Sequence, residues 1–191
     1  PESGWRLCLS AFVLLYRQQN CFCLLSAVTA VEHRQQGVGA HVLRQLQAAE
    51  QLQAAAVREI ERTAKEFGFK GVSIEPGYFG LYTDDECLTP IYDKCQELGL
   101  IVSLTDSIFV GPDMSYAHIQ RIANRYPDVI FTVDHGCWPF VQEALGMALI
   151  CPNVYLFPDF YCYIPNMPFA DEYVKAANYF LKYRMLFATG Y

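Results

Sequence analysis

Positive charge is scarce in this chain of 191 residues, in which 14 lysines and arginines stand against 20 aspartates and glutamates, for a net charge of −6. No basic stripe is present that could neutralise phosphates, so we predict no nucleic-acid partner. Charged residues make up only 18% of the chain, whereas 53% is hydrophobic and 15% is aromatic. So much apolar surface excludes a disordered chain and predicts one compact domain, or a large part of one.

Long hydrophobic runs are also missing, since a membrane-spanning helix needs ~20 apolar residues. The two apolar runs near the start, Trp5–Tyr16 and Cys21–Val31, are each shorter, and the polar residues Arg17–Asn20 separate them. We predict two buried strands, or a strand and a helix, in an apolar segment over residues 1–40, and no membrane partner. A signal peptide is the alternative, because Arg6 precedes an apolar run of suitable length.

Cysteine pairs of the CxxC type are absent, although the chain holds 8 cysteines. A disulfide framework is one interpretation of that number. The interpretation that we favour is that the thiols are free and pack as small hydrophobic groups, because the chain is large enough to fold without cross-links. We therefore predict a reducing, cytoplasmic compartment for the cysteines at positions 8, 21, 23, 87, 95, 137, 151 and 162.

A long helix and then a repeating strand–helix pattern account for the rest of the chain. Strong helix formers fill His41–Phe67, and Gly68 supplies the C-terminal stop. After this helix, short and nearly continuous apolar runs alternate with segments of helical periodicity. The predicted strands are Gly71–Ile74, Ile101–Leu104, Val129–Val133, Val154–Phe157 and Met185–Ala188. The predicted helices between them are Asp85–Leu98, Tyr116–Arg125, Pro139–Ile150 and Ala170–Tyr183.

This alternation predicts an α/β fold with a parallel sheet whose strands are covered on both faces. The length of the units suits either a (β/α) barrel of the TIM type or a doubly wound sheet. About five units are fewer than the set that closes a barrel, so we predict a partial barrel over residues 41–191. The chain also begins Pro1-Glu2-Ser3-Gly4, which is not a natural start, so we expect a fragment or a processed product.

Carboxylates follow four of the predicted strands, at the point where each strand ends. Because the carboxyl ends of parallel strands meet at one edge, these side chains are expected to surround one cleft. His135 is predicted as the general acid or base, with Asp134 orienting or charging it. Glu75, Asp106 and Asp159 are predicted to hold a hard divalent cation such as Mg²⁺ or Mn²⁺. The alternative is that the acids simply cap loops and helices.

Aromatic residues in the neighbouring loops suit the wall of a small-molecule pocket. Tyr78 and Phe79 follow the first strand of the repeating pattern, whereas Trp138 and Tyr161 follow later strands. We predict that these four side chains bind the substrate, and the alternative is that they only cover the ends of the sheet. The remaining histidines, at positions 33, 41 and 118, lie in helix or linker contexts and are predicted to be solvated.

No P-loop, GxGxxG or GxSxG motif is present, but several segments resemble the amidohydrolase-related (amidohydrolase 2) family, which includes aminocarboxymuconate-semialdehyde decarboxylase. The resemblance covers roughly residues 57–191 and keeps the order and spacing of the matching segments. It implies a TIM-type barrel with a divalent metal, usually zinc, that serves hydrolysis or non-oxidative decarboxylation. The matching segments are Glu66–Val72, Asp85–Leu100, Tyr126–Asp128 leading to His135–Pro139, Pro152–Leu156 and Arg184–Thr189.

The metal ligands that the resemblance implies are mostly unmatched. The family's paired histidines on the first strand have no counterpart, because the chain contains no His-x-His. The metal histidine of the fifth strand falls at Thr105 and the aspartate of the last strand at Gly190, whereas the histidine of the sixth strand is matched by His135. The resemblance therefore implies a divergent branch that has lost the usual metal centre.

Two hypotheses for function follow. The first is a hydrolase or non-oxidative decarboxylase acting on a small carboxylated or aromatic substrate, with one divalent metal (Zn²⁺, Mg²⁺ or Mn²⁺) or none. The second is a catalytically inactive barrel fragment that acts as a binding or oligomerisation module, since a partial barrel leaves strand edges unpaired. The expected partners are a small-molecule substrate and, through an unpaired strand edge, a second copy of the chain as a homo-oligomer.

Overall fold

The computed structural model describes the backbone of residues 8–9, 13–17, 20–24, 29–30, 38–79, 81–105 and 116–189, and side chains from Gln51 onward within those ranges except at positions 52, 78 and 79. Four strands come first: β1 (Cys8–Leu9), β2 (Val13–Arg17), β3 (Asn20–Leu24) and β4 (Thr29–Ala30). They are followed by α1 (Val38–Phe67), β5 (Gly71–Ile74), α2 (Thr89–Leu98), β6 (Ile101–Thr105), α3 (Tyr116–Arg125), β7 (Phe131–Asp134), α4 (Val141–Ile150), β8 (Val154–Phe157) and α5 (Ala170–Asn178).

The main sheet has six strands in the order β3-β2-β5-β6-β7-β8. Strands β5 to β8 are parallel and appear in chain order, as expected for consecutive βα units. Strand β2 pairs antiparallel with both β3 and β5, so an N-terminal pair of strands extends the sheet at its β5 side. The predicted α/β fold with parallel (β/α) units is confirmed. The proposed division at residue 40 stays a prediction.

The predicted element bounds match most closely where an apolar run has sharp ends. Strands β5 and β8 and helix α3 have the predicted bounds. The predicted strand Met185–Ala188 is wrong beyond its first residue, because only a parallel bridge between Leu156 and Met185 forms there. Phe187 is 82% exposed, so burial does not hold the remainder of that apolar segment in an extended conformation.

Side chains alternate along β5 to β8 between an apolar face and a more polar face. The residues of the first face are buried in the core with the apolar sides of the helices: Val72, Ile74, Val102, Leu104, Phe131, Val133, Val154 and Leu156. The residues between them include Ser73, Ser103 and Thr132. Because successive side chains of a strand point to opposite sides, the helices cover one face, and the polar face is left for the cavity described below.

Two smaller observations bear on the composition. The cysteines whose side chains are described, at positions 87, 95, 137, 151 and 162, are all free. Among the helices in the described part of the chain, none has both the length and the apolar character that a membrane crossing would need.

Candidate active site

His135 sits on a turn with an unusual backbone directly after β7. The φ angles of His135, Gly136 and Cys137 are 64°, 58° and 60°, so three successive residues adopt the left-handed conformation. For the two that are not glycine, this conformation is strained. Tyr173 on α5 fixes the turn from behind, since its hydroxyl donates a hydrogen bond of 2.9 Å to the carbonyl oxygen of Gly136. The imidazole is therefore presented by a backbone that the surrounding core holds in place.

The hydrogen-bond partner of His135 is Asp159. The distance from His135 Nδ1 to Asp159 Oδ2 is 2.5 Å, and the two side chains are 23% and 4% exposed. Asp159 opens the turn after β8 and also has a positive φ, of 41°. Because the carboxylate accepts at Nδ1, the Nδ1–H tautomer is favoured and Nε2 is left for a ligand.

Asp159 also sets the protonation of His135. The hydrogen bond that Asp159 accepts raises the pKa of His135, and burial of the ring opposes this effect. The negative charges of Asp134 and Glu75 act in the same direction as Asp159. His135 thus has one carboxylate in contact, which orients the ring, and two more nearby, and all three favour its protonated form.

Asp134, to which the sequence analysis gave the orienting role, is held by the neighbouring strand instead. The hydroxyl of Ser103 lies 2.9 Å from both carboxylate oxygens of Asp134, and the Thr105 hydroxyl lies 3.4 Å from Oδ2. Burial raises the pKa of Asp134 to about 6, against the opposing effects of the Ser103 hydrogen bond and the charge of His135. Asp134 therefore acts on His135 by charge and not by a hydrogen bond.

This raised pKa predicts a stability gain for Asp134→Asn at neutral pH. The native state keeps the Asp134 proton at a pH where the unfolded chain has released it, so the stability that this group contributes falls as pH rises from about 4 to about 6. Removing the charge should therefore stabilise the protein by about 2 kcal/mol at pH 7.5 and by much less at pH 4. Urea unfolding at both pH values measures the difference.

Asp128→Asn is the matched control, because Asp128 is exposed and lies on a turn away from the cavity. Its substitution should leave the pH dependence of unfolding unchanged. If Asp134→Asn destabilised the protein equally at pH 7.5 and pH 4, the buried charge of Asp134 would not be the cause of the effect.

Glu75 lies in the same row of residues as Asp134. The parallel register pairs Ile74 with Leu104 and Thr105 with Asp134, so Glu75, Thr105 and Asp134 follow one another across the sheet. The hydroxyl of Thr105 is 3.4 Å from Glu75 Oε1, and burial raises the pKa of Glu75. Two carboxyl groups with raised pKa values thus lie on either side of one threonine.

These residues line one cavity of about 690 Å³ on the polar face of the sheet. Of the predicted site residues, the structure brings Glu75, Asp134, His135 and Asp159 together in its wall, while Asp106 lies outside the described residues. Lining residues that the sequence analysis missed are Ser103, Thr105 and Thr132. Their signal was present, because polar residues at every second position of β6 and β7 indicate a strand face that does not pack on the helices.

The predicted substrate-binding aromatics are placed differently. Trp138 stacks on Tyr161 with ring centroids 4.9 Å apart, and the Tyr161 ring meets the His135 ring edge-on at 5.9 Å. Neither of them is among the residues that line the cavity, where the aromatic wall is Phe157. The side chains of Tyr78 and Phe79 lie outside the described set. The substrate-binding role of these four residues stays a prediction.

His118 belongs to a second polar cluster, so the prediction that it is solvated is wrong. Its ring stacks on Tyr82 at 4.6 Å, and its Nδ1 contacts Asp84, which also accepts a hydrogen bond from Arg121. Burial opposes ionisation of Asp84, but the hydrogen bonds from Arg121 and His118 outweigh it and lower the pKa of Asp84. The cluster joins the loop after β5 to helix α3.

A divalent metal, which the sequence resemblance implies, normally needs three protein ligands at a catalytic zinc site. Among the side chains that the structure describes, no group of three His, Cys, Asp or Glu residues could hold an ion. His135 Nδ1 and one oxygen of Asp159 are committed to each other, and Thr105 binds carboxylates. The described residues alone therefore do not supply the three ligands of such a site. Because Asp106 is outside the described residues, the metal set Glu75, Asp106 and Asp159 stays a prediction.

The fold and the site together define a TIM-type (β/α) protein with an ionisable cluster at the carboxyl ends of its strands. The sequence model of the amidohydrolase family matches residues 26–191, and the chain belongs to that family. The match begins earlier in the chain than the resemblance noted from the sequence.

Comparisons with solved structures agree with this assignment. An uncharacterised TIM-barrel protein from Bordetella bronchiseptica is 37% identical, with a TM-score of 0.63 over 69% of this chain and 48% of that one. A 5-carboxyvanillate decarboxylase from Novosphingobium aromaticivorans, with manganese and 4-hydroxy-3-methoxy-5-nitrobenzoic acid bound, is 19% identical with a TM-score of 0.51, over 71% of this chain and 50% of that one. The second likeness supports the fold alone.

Among curated proteins, protein fluG of Emericella nidulans is 42% identical over 40 residues, which are 21% of this chain and 5% of fluG. The chain thus spans about half the length of the solved structures that it matches and a small part of fluG. The TIM-type fold, which the sequence left open against a doubly wound sheet, is supported by these relatives.

Proposed function

We propose that this chain carries the active site of a hydrolase or non-oxidative decarboxylase, with His135 as its general acid or base. The observation that carries the proposal is the His135–Asp159 pair, in which a buried carboxylate holds Nδ1 at 2.5 Å in the wall of a cavity. Both residues adopt positive φ angles, and strained conformations of this kind concentrate at functional sites.

The pair has the geometry that proton transfer needs. Asp159 orients the ring and stabilises the imidazolium, as a buried aspartate does in hydrolytic triads. In hydrolysis, His135 Nε2 would accept a proton from the attacking water and return it to the leaving group. In decarboxylation, the imidazolium would donate a proton to the carbon that loses CO₂. Asp134 and Glu75 favour the charged imidazolium through their own negative charges.

The substrate is proposed to be small, because the cavity of about 690 Å³ suits a ligand of one or two rings. Phe157, Leu186 and Ala188 supply apolar wall for an aromatic ring. The ligand of the manganese-containing decarboxylase is a substituted benzoic acid, which is of this size. The inactive binding or oligomerisation module, the homo-oligomer and the cytoplasmic location stay predictions.

A pH–rate profile tests the catalytic assignment. We expect log kcat/KM to rise for hydrolysis, and to fall for decarboxylation, as His135 loses its proton. In both cases the midpoint should lie above the ordinary histidine pKa of 6.5, because Asp159 raises the pKa of His135. Asp159→Asn should move the midpoint to lower pH and lower the plateau. The substrates are the p-nitroanilides of benzoic acid and 4-amidinobenzoic acid for hydrolysis, and hydroxylated benzoic acids, followed by CO₂ release, for decarboxylation.

An NMR titration of the histidine Cε1–H resonances provides the independent readout, with His135→Gln identifying the signal. The kinetic midpoint and the NMR midpoint should agree for the free enzyme. A profile whose midpoint stayed fixed in Asp159→Asn while the NMR midpoint moved would remove His135 from the rate-determining proton transfer.

A further inference from the structure

The cavity has an excess of negative charge at the end where His135 lies. Glu75, Asp134 and Asp159 line it there, and no lysine or arginine among the described residues forms a salt bridge with any of the three. Lys70 also lines the cavity, but it precedes β5 while Glu75 follows β5. The two residues are five steps apart along the chain, which span roughly 16 Å of extended strand, so Lys70 lies near the opposite end.

A second observation points to a missing hydrogen-bond donor. Asp159 is 3% exposed, and its Oδ1 atom is buried without a hydrogen-bond partner among the residues that the structure describes. Leaving a buried carboxylate oxygen unpaired is costly, so a donor that reached this atom from the cavity would remove that cost. The other oxygen of Asp159 is already used by His135.

The rest of the wall suits the apolar part of the same ligand. Phe157 is level with Asp134 in the parallel register, so an aromatic ring borders the carboxylates directly. A ring of this kind attracts a cation over its face as well as an apolar group. Leu186 is the residue after the parallel bridge between Leu156 and Met185, so it is level with Phe157, and together with Ala188 it adds apolar surface beside the carboxylates.

We propose that this cavity binds a small cyclic or aromatic compound that carries a protonated amine, amidine or guanidine group, with the cationic group directed to the carboxylates of Glu75, Asp134 and Asp159. The inference rests on the proposed function in taking the cavity as the active site. It selects, within that function, a cationic substrate over a carboxylated one, and therefore hydrolysis over decarboxylation.

The test compares four probes of one size by isothermal titration calorimetry in EDTA: benzamidine, benzylamine, benzyl alcohol and benzoate. The two cations should bind at least about tenfold more tightly than benzyl alcohol, and benzoate should bind most weakly. Glu75→Gln and Asp134→Asn should each weaken benzamidine binding about tenfold or more and leave benzyl alcohol unchanged. Near-UV circular dichroism establishes that each variant is folded. If Glu75→Gln does not fold, the binding comparison is made with Asp134→Asn alone.

Glu143→Gln is the matched control, because it removes one negative charge from an exposed position on α4 outside the cavity. It should leave benzamidine binding unchanged. The proposal is overturned if benzoate binds as tightly as benzamidine, or if Glu143→Gln weakens benzamidine as much as the cavity variants do. It is also overturned if, without EDTA, Mn²⁺ binds with one ion per chain and displaces benzamidine.

Binding and turnover separate this inference from the proposed function. Selective binding of cations without turnover of any probe would leave the inference standing and remove the catalytic proposal. Turnover of benzoate-type substrates that depends on His135, without selective binding of cations, would support the catalytic proposal and overturn this inference.

Discussion

Replacing His135 with alanine should lower kcat/KM on the p-nitroanilide substrates by about 10²- to 10⁴-fold, the usual contribution of a positioned acid–base group. The reason is local, because the Nε2 atom of His135 is left for the cavity while Nδ1 is held by Asp159. Stability should also fall, by about 1–3 kcal/mol, because the carboxylate of Asp159, which is only 4% exposed, loses its hydrogen-bond partner. Initial rates and urea unfolding on the same preparations measure both quantities.

His118→Ala is the matched control for this experiment, because it removes the same side chain from the cluster of Asp84, Arg121 and Tyr82. That cluster does not line the cavity, so kcat/KM should stay within about threefold while the free energy of unfolding falls by about 1 kcal/mol. Unchanged turnover in His135→Ala would favour the inactive binding or oligomerisation module instead. Equal losses in both variants would indicate a general structural effect.

The sequence was sufficient to predict the four parallel strands β5 to β8 and the edge at which the charged residues meet. Apolar runs with sharp ends determined β5 and β8, and the rule that parallel strands present their carboxyl ends together placed Glu75, His135 and Asp159 around one cleft. Met185–Ala188 has the same apolar pattern, but the sequence of one segment does not show whether other parts of the protein will pack over it and bury it. Exposure of Phe187 shows that none of the described residues does so.

The pairing of side chains within the site was beyond reach of the sequence. Asp134 is the chain neighbour of His135, yet Asp134 is held by Ser103 on β6, and the left-handed turn at His135 directs the imidazole to Asp159, 24 residues away. A positive φ at a histidine has no reliable signature in composition or periodicity. Ser103 and Thr105 are polar residues at alternate positions of β6, and this pattern could have identified Ser103 as the partner of Asp134.

Gly136→Ala should destabilise the protein strongly. A Cβ atom at position 136 would lie 3.0 Å from both Cε1 and Oη of Tyr173 and 3.1 Å from the Cα atom of Pro158, at a φ of +58°. The contacted atom of Pro158 belongs to the backbone, and Tyr173 is only 1% exposed, so neither can move aside without disturbing the core. We expect a loss of about 2–4 kcal/mol in unfolding free energy, from overpacking and the left-handed conformation together.

The same substitution should also lower turnover, because the turn that carries His135 is fixed by the hydrogen bond from Tyr173 to the Gly136 carbonyl oxygen. The loss of kcat/KM should accompany a change in the His135 NMR titration, since displacement of the ring weakens its contact with Asp159. Gly146→Ala on α4 is the control, because nothing lies within 4 Å of its added Cβ atom. It should stabilise the protein by about 0.5–1 kcal/mol, as alanine does in a helix. A Gly136→Ala protein as stable and active as the parent would mean that the turn adapts freely, and that His135 is not held in place by its backbone.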